Sequence, residues 1–151
     1  GREFKVFKFR SMVVNADGMK DKLIAQNAHG ATSVTFKMKN DPRITRVGRF
    51  IRKASIDELP QFFNVLLGDM SLVGPRPAVV REVKLYTLRD RQRLNVKPGI
   101  TCIWQVSGRA SIAFDGQVDL DLQYIQSRSI WMDIRLMLLT VPAVLLGRGA
   151  E

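Results

Sequence analysis

The chain opens on an alternating stretch. Over residues 4–10, Lys8 and Arg10 fall on one face and Phe7 and Phe9 on the other, which predicts a strand. Residues 15–33 are polar and contain glycine, so they read as a loop or a frayed helix, with a short strand over 34–38 after them. From about Thr45 the period lengthens. Val47, Phe50, Ile51 and Ala54 sit at i, i+3, i+4 and i+7 as one apolar stripe, with Arg46, Arg49 and Lys53 away from it. A second helix is expected from Ser55 to about Leu67, ended by Gly68. Residues 70–77 read as a loop or short strand, 78–90 as a helix, Lys97-Pro98-Gly99 as a turn and 100–106 as a short strand. Phe114, Val118, Leu122 and Ile125 outline a further helix, and Ile134, Met137, Leu138, Val141 and Leu145 the last.

That last helix is apolar nearly all round from Leu136 to Leu146, broken only by Thr140 and Pro142. It is too short to span a bilayer, which takes about 20 residues. Its two readings are a buried core helix or one lying at a membrane interface. With no internal repeat, low-complexity tract or long linker, residues 1–151 form a single domain of the α/β (α+β type) class, mainly helical with a small β-sheet. No secretory signal is visible, because the opening run lacks a continuous apolar core.

Composition narrows the chemistry. The 151 residues carry 24 Lys and Arg against 14 Asp and Glu, a net charge of +10 that implies phosphate-bearing partners. The excess lies in residues 1–100, with 20 cations against 9 anions, and is densest over 37–53, where only Asp41 opposes seven cations. The single Cys102 excludes an internal disulfide framework, and one Cys with one His29 excludes a structural zinc site. Nucleic acid is not an expected partner: the chain has no zinc-finger spacing, no RNA-recognition aromatic signature, and only Phe50 interleaves the densest basic run.

Three segments carry candidate chemistry. In Ser55-Ile56-Asp57-Glu58-Leu59-Pro60-Gln61, Ser55 and Glu58 have the spacing of a capping box; a cap at Asp57 instead would place Pro60 within the first turn. Either way two adjacent carboxylates open a helix just after a basic one, with Arg52 five residues before Asp57. Phosphoryl transfer uses this mixture of nucleophile or base, carboxylates for Mg²⁺, and cations that absorb developing charge. In Gly74-Pro75-Arg76-Pro77 two prolines fix the backbone around Arg76, which suits an anion clamp as well as an ordinary turn. The third runs from Lys97 to Arg109; in it Cys102 and Trp104 read as core residues.

Taken in order, these segments resemble one family. Lys8-Phe9-Arg10-Ser11-Met12, Asp41-Pro42-Arg43-Ile44-Thr45-Arg46-Val47-Gly48-Arg49, Asp57-Glu58-Leu59-Pro60-Gln61 and the run from Gly68 to Pro77 are similar to the bacterial sugar transferases, the monotopic polyprenyl-phosphate phosphoglycosyl transferases. Lys97-Pro98-Gly99-Ile100-Thr101, Trp104-Gln105-Val106, Gly108-Arg109 and the closing Asp133-Ile134 and Gly147-Arg148-Gly149-Ala150 continue the resemblance. Thr101-Cys102 departs from it, since some relatives place Gly after the Thr.

The resemblance implies transfer of a sugar-1-phosphate from a UDP-sugar to polyprenyl (undecaprenyl) phosphate with release of UMP, the first step of a surface glycan. It makes Asp57 the nucleophile of an aspartyl–phosphosugar intermediate and Glu58, with Asp57, the Mg²⁺ ligand. Lys8, Arg10, Arg52 and Arg76 match basic phosphate-binding positions, Asp133 a further acidic one, and Arg109 and Gln105 positions facing the nucleotide. It also implies amphipathic helices at the cytoplasmic face of the bacterial inner membrane. The family's hydrophobic N-terminal anchor has no counterpart in the seven residues before Lys8, so the piece reads as a catalytic domain that can be soluble. Arg43, Arg46, Arg49 and Lys53 are then expected to meet anionic headgroups, and a homo-oligomer is compatible with this reading. The alternative is a non-catalytic basic module that binds membrane or nucleic acid.

Overall fold

In the computed structural model, residues 1–28, 33–36, 38, 40–108 and 112–145 are described. The helices in chain order are α1 (Ala16–Leu23), α2 (Arg46–Lys53), α3 (Gln61–Leu66), α4 (Val80–Val83), α5 (Ile103–Ser107), α6 (Phe114–Ser127) and α7 (Ile130–Leu145). Two strands, β1 (Ser71–Val73) and β2 (Gly99–Thr101), pair in parallel with Ser71 opposite Gly99 and Val73 opposite Thr101. Helical 3₁₀ turns cover Ile24–Gln26, Ile56–Glu58 and Asp90–Asn95. The mainly helical α+β expectation is met among the described residues.

Glycine sets the closeness of the sheet: a Cβ at Gly99 would lie 2.1 Å from the Gly74 nitrogen, so only glycine lets the two backbones meet. α6 ties the interior together. Its Tyr124 packs with Val73 of β1 and Leu136 of α7, and its Phe114 and Val118 pack with Tyr86 in a second cluster. Between them runs a buried ion pair, Arg93 Nη2 to Asp121 Oδ2 at 2.6 Å, with Arg93 also donating to the Tyr86 hydroxyl and facing the Phe114 ring. Burial pushes the Asp121 carboxyl up to about 6, against the pull of Arg93.

Several sequence expectations need correction. Residues 4–10 form no strand; the segment is extended, but its partner is a side chain. The fully buried Asn64 accepts from the Phe7 amide at 2.9 Å and donates to the Lys5 carbonyl at 2.8 Å, doing what a neighbouring strand would do. Residues 15–33 contain α1, whereas the strand expected over 34–38 is absent from its described residues. α2 forms with Thr45 accepting from the Gly48 amide at 2.8 Å, but its apolar stripe is split: Val47 is 70% and Phe50 68% accessible, while Ile51 and Ala54 are half-buried. The residue it buries is Gly48, against the Ser11 carbonyl.

The helix expected over 55–67 is broken. Ser55 takes a left-handed φ of 53° and caps nothing with its side chain, so the capping box does not form; the 3₁₀ turn follows, and α3 restarts after Pro60. Its end is as expected, with Gly68 at φ 80°. The helix over 78–90 shortens to α4, because Asp90 accepts from the Thr87 amide at 2.8 Å and starts a new turn. The strand over 100–106 stops at Thr101; Trp104, Gln105 and Val106 lie on α5. α7 is neither wholly buried nor wholly exposed. Leu136 is buried against the sheet while Ile130, Trp131, Leu138 and Val141 are exposed. No helix among the described residues is long and apolar enough to cross a membrane.

Candidate functional site

The 3₁₀ turn Ile56–Glu58 projects the carboxylate pair into a cavity of about 640 Å³, a size that takes a nucleotide-sized ligand. The left-handed Ser55 makes this turn by reversing the chain after α2, and a non-glycine residue in that region costs about 1 kcal/mol or more. Asp57 is only 3% exposed. Its backbone carbonyl accepts from the Phe9 amide at 3.0 Å, which registers the N-terminal segment so that Lys8 Nζ stands 3.0 Å from Asp57 Oδ2 and 3.3 Å from Glu58 Oε1. Across the turn, Arg76 Nη2 lies 3.0 Å from Glu58 Oε1. Arg76 is set there by the prolines that flank it just beyond β1, and Arg52 enters the cavity from the last turn of α2.

The electrostatics favour a charged cluster. Burial by itself would raise the Glu58 carboxyl, but the charges of Arg76 and Lys8 outweigh it and hold the group below its ordinary range. Glu58 in turn raises the Arg76 guanidinium. Asp57 and Glu58 thus stand with Lys8 and Arg76 at the cavity wall, which Arg52 also lines, an arrangement that can receive an anion. Among the described residues no group of three or more His, Cys, Asp or Glu comes together, so any cation here would have two protein carboxylates at most.

Of the residues singled out in the sequence, Lys8, Arg52, Asp57, Glu58, Arg76 and Gln105 line this one cavity. Arg10 lies on the same extended segment but points to solvent and does not line it. Asp133 is placed elsewhere: it accepts from the Tyr124 hydroxyl at 2.8 Å and lines a shallower depression with Ser71, Lys97 and Met137. Arg109 and the closing Gly147-Arg148-Gly149-Ala150 lie outside the described residues. Cys102 and Trp104 are buried as expected, and burial raises the thiol far above its ordinary value.

Arg43 requires a correction. It is buried in a bidentate pair with Asp41, its Nη2 2.6 Å from Asp41 Oδ2, and stacks 4.7 Å over the Phe36 ring. It cannot meet a headgroup; Arg46, Arg49 and Lys53 remain exposed. Sequence reasoning also missed Glu82, Arg93 and Gln117 in the cavity wall. They sit in no motif, and Arg93 finds Asp121 across 28 positions, beyond any helical or strand period.

Comparison with known proteins identifies the family. The chain is 55% identical over all its length to the galactosyl transferase CpsE of Streptococcus agalactiae, covering 33% of that protein. It is 49% identical over 99% of its length to an undecaprenyl-phosphate galactose phosphotransferase of Salmonella typhimurium, of which it covers 32%. Against a UDP-glucose:undecaprenyl-phosphate glucose-1-phosphate transferase of Xanthomonas campestris the identity is 44% over 96% of the chain and 29% of the relative. The chain thus spans about a third of the length of these relatives. The sequence profile of the bacterial sugar transferases matches residues 1–147, which is nearly the whole chain. The chain belongs to the bacterial sugar transferase family.

Proposed function

We propose that the chain is the catalytic part of an enzyme that moves a sugar-1-phosphate from a UDP-sugar to a polyprenyl phosphate, releasing UMP. The observation that carries this reading is the buried Asp57 carboxylate, held by Lys8 at the wall of a nucleotide-sized cavity that Arg52 and Arg76 also line. The galactose- and glucose-phosphate transfer named for the relatives supports it.

In this mechanism an Asp57 oxygen attacks the sugar-bearing phosphorus. The bond from that phosphorus to the bridging oxygen breaks, and UMP departs with the electron pair. An oxygen of the polyprenyl phosphate then attacks the same phosphorus and returns Asp57 as a carboxylate, so one difficult displacement becomes two easier ones. Lys8 and Arg76 are already ordered by their ion pairs and neutralise charge on the phosphoryl oxygens without reorganising. The donor set also fits Mg²⁺, which needs one or two carboxylates and fills its other positions with water and phosphate oxygens; Glu58, with Asp57, would hold it. When bound, the ion would supply further neutralisation of the diphosphate.

Docking at the cytoplasmic face of a membrane is part of the same proposal. α2 presents exposed Val47 and Phe50 together with Arg46 and Arg49, so apolar burial and attraction of about 1 kcal/mol per cation act in one direction. A nucleic-acid role gives no reason to bury a carboxylate pair beneath the cations.

The test is UMP release from UDP-galactose and UDP-glucose in the presence of Mg²⁺ and undecaprenyl phosphate. Wild-type protein is expected to release UMP and to gain the mass of a sugar phosphate when the lipid is withheld. Asp57→Asn should do neither while unfolding at the wild-type temperature. Full UMP release by Asp57→Asn would remove Asp57 as the nucleophile.

A further inference from the structure

The cavity wall contains four carboxylates, Asp41, Asp57, Glu58 and Glu82. Three of them are committed. Asp41 is paired with Arg43, Asp57 with Lys8, and Glu58 with both Lys8 and Arg76. Glu82 differs. Among the described residues it stands in no ion pair, although Arg76, Arg93 and Lys20 are near enough for their charges to act on it. Its backbone amide donates to the Val79 carbonyl at 2.9 Å, while the carboxylate keeps acceptor capacity. It is half-buried on α4, one turn beyond the Pro-Arg-Pro segment that carries Arg76.

We infer that Glu82 is a specificity-determining residue, whose carboxylate accepts hydrogen bonds from hydroxyl groups of the donor's sugar ring. The inference rests on the proposed function and deepens it. If Asp57 attacks the sugar-bearing phosphorus while Arg76 faces the phosphoryl oxygens, the sugar is the group attached to that phosphorus and must occupy cavity space next to the clamp. Glu82 is the acceptor there that neither the phosphate cations nor the carboxylate pair has claimed. A carboxylate offers about four lone-pair directions, which suits hydroxyls on adjacent ring carbons. Burial also raises the Glu82 carboxyl, which shows that it is partly withdrawn from water and that a bond to it is correspondingly discriminating. The Arg76 guanidinium pairs with Glu58 and also feels the charge of Glu82 in the same cavity wall, which couples phosphate binding to sugar placement.

A site built around hydrogen bonds to a hydroxyl separates sugars that differ at one hydroxyl, because the wrong epimer leaves a polar group unpaired. UDP-galactose and UDP-glucose differ only in configuration at C4. The experiment compares kcat/KM for these two donors and for their 2-, 3- and 4-deoxy analogues in wild type, Glu82→Gln and Glu82→Asp. It adds the binding constant of UDP, which has no sugar, and the unfolding temperature. Glu82→Gln should change the preference among donors by about tenfold, the loss of one hydrogen bond to a charged group, while UDP binding stays at the wild-type value. At least one deoxy analogue should be insensitive to the substitution, identifying the hydroxyl involved. Glu82→Asp retains the charge but retracts it, so it should shift the preference and not abolish turnover.

Equal scaling of every donor by both substitutions, with the preference unchanged, overturns the inference and assigns Glu82 a structural role in α4. A wild-type protein that releases UMP from none of the donors overturns the proposed function itself, and this inference with it. The two failures are therefore separable.

Discussion

Gly48→Ala decides between two opposite expectations. By helix propensity alone, alanine inside α2 should stabilise it by about 0.8–1 kcal/mol. The structure predicts the reverse. A Cβ at Gly48 would stand 1.8 Å from the Ser11 carbonyl oxygen and 2.8 Å from Thr45 Oγ1, where contacts under 3.0 Å are not tolerated. The nearest obstacle is backbone, so no side chain can swing aside. α2 and the Ser11 segment must separate, which strains the 3.1 Å bond from the Thr45 amide to the Ser11 carbonyl and the Thr45 cap on Gly48. Overpacking of about 3 kcal/mol, at the upper end of the ordinary range, less the propensity gain leaves a net loss of about 2 kcal/mol. For a chain of this size that lowers the unfolding temperature by about 4–8 °C. Ser11 is three residues from Lys8, so the displacement also moves the cation beside Asp57, and UMP release should fall by about 10- to 100-fold. Calorimetry and a UMP assay read both effects. Gly116→Ala in α6 is the control, since its nearest obstacle is the end of the Ile112 side chain. An unfolding temperature for Gly48→Ala at or above wild type, with full turnover, would refute the close approach.

Asn64→Ala should destabilise by about 2–4 kcal/mol, because the Phe7 amide and the Lys5 carbonyl both lose a buried partner, and hydrogen exchange at Phe7 should accelerate. Asp121 titrates near 6 in the folded protein against an ordinary value of 3.8, so the native state binds the extra proton between these values. Its contribution to stability is therefore present at low pH and lost as the pH rises through about 6, by at most about 3 kcal/mol. A carboxyl NMR titration midpoint below 4 would contradict this. Cys102 is fully buried and its thiol is pushed far up, so alkylation at pH 8 should be undetectable in the native protein and rapid in denaturant.

Elements with purely local causes were legible in the sequence. The start of α2 at about Thr45, the end of α3 before Gly68, α6 and α7 each follow from propensity, stop signals and period, and each forms. The expectations that failed depended on a distant partner. Alternation over 4–10 is real, yet what satisfies the segment is the Asn64 side chain together with the Asp57 carbonyl, about fifty to sixty positions away. The stripe on α2 has the spacing of a core face but is only partly covered: the adjoining Gly48 packs against Ser11, Ile51 and Ala54 are half-buried, and Val47 and Phe50 are left exposed. The candidate site fared better where the residues were adjacent in motifs, as for Asp57, Glu58 and Arg76. It fared worse where burial alone gives a residue its meaning, as for Arg43 turned inward on Asp41 and for Glu82, which stands in no motif.

The attachment of residues 5–9 by Asn64 has a consequence for how the charged cluster behaves in time. The carboxylates belong to a turn wedged between α2 and α3, whereas the lysine rides on an arm held by an amide side chain and the Asp57 carbonyl. Releasing that arm breaks a handful of hydrogen bonds and leaves both apolar clusters intact, so the lysine can depart and return far more often than the domain unfolds. Each departure strands a buried carboxylate without its nearest counter-charge, a state costly enough to draw the arm back. The ion pair is in this sense a restoring force. The residue that prepares the phosphate site is also the latch of the chain's first segment.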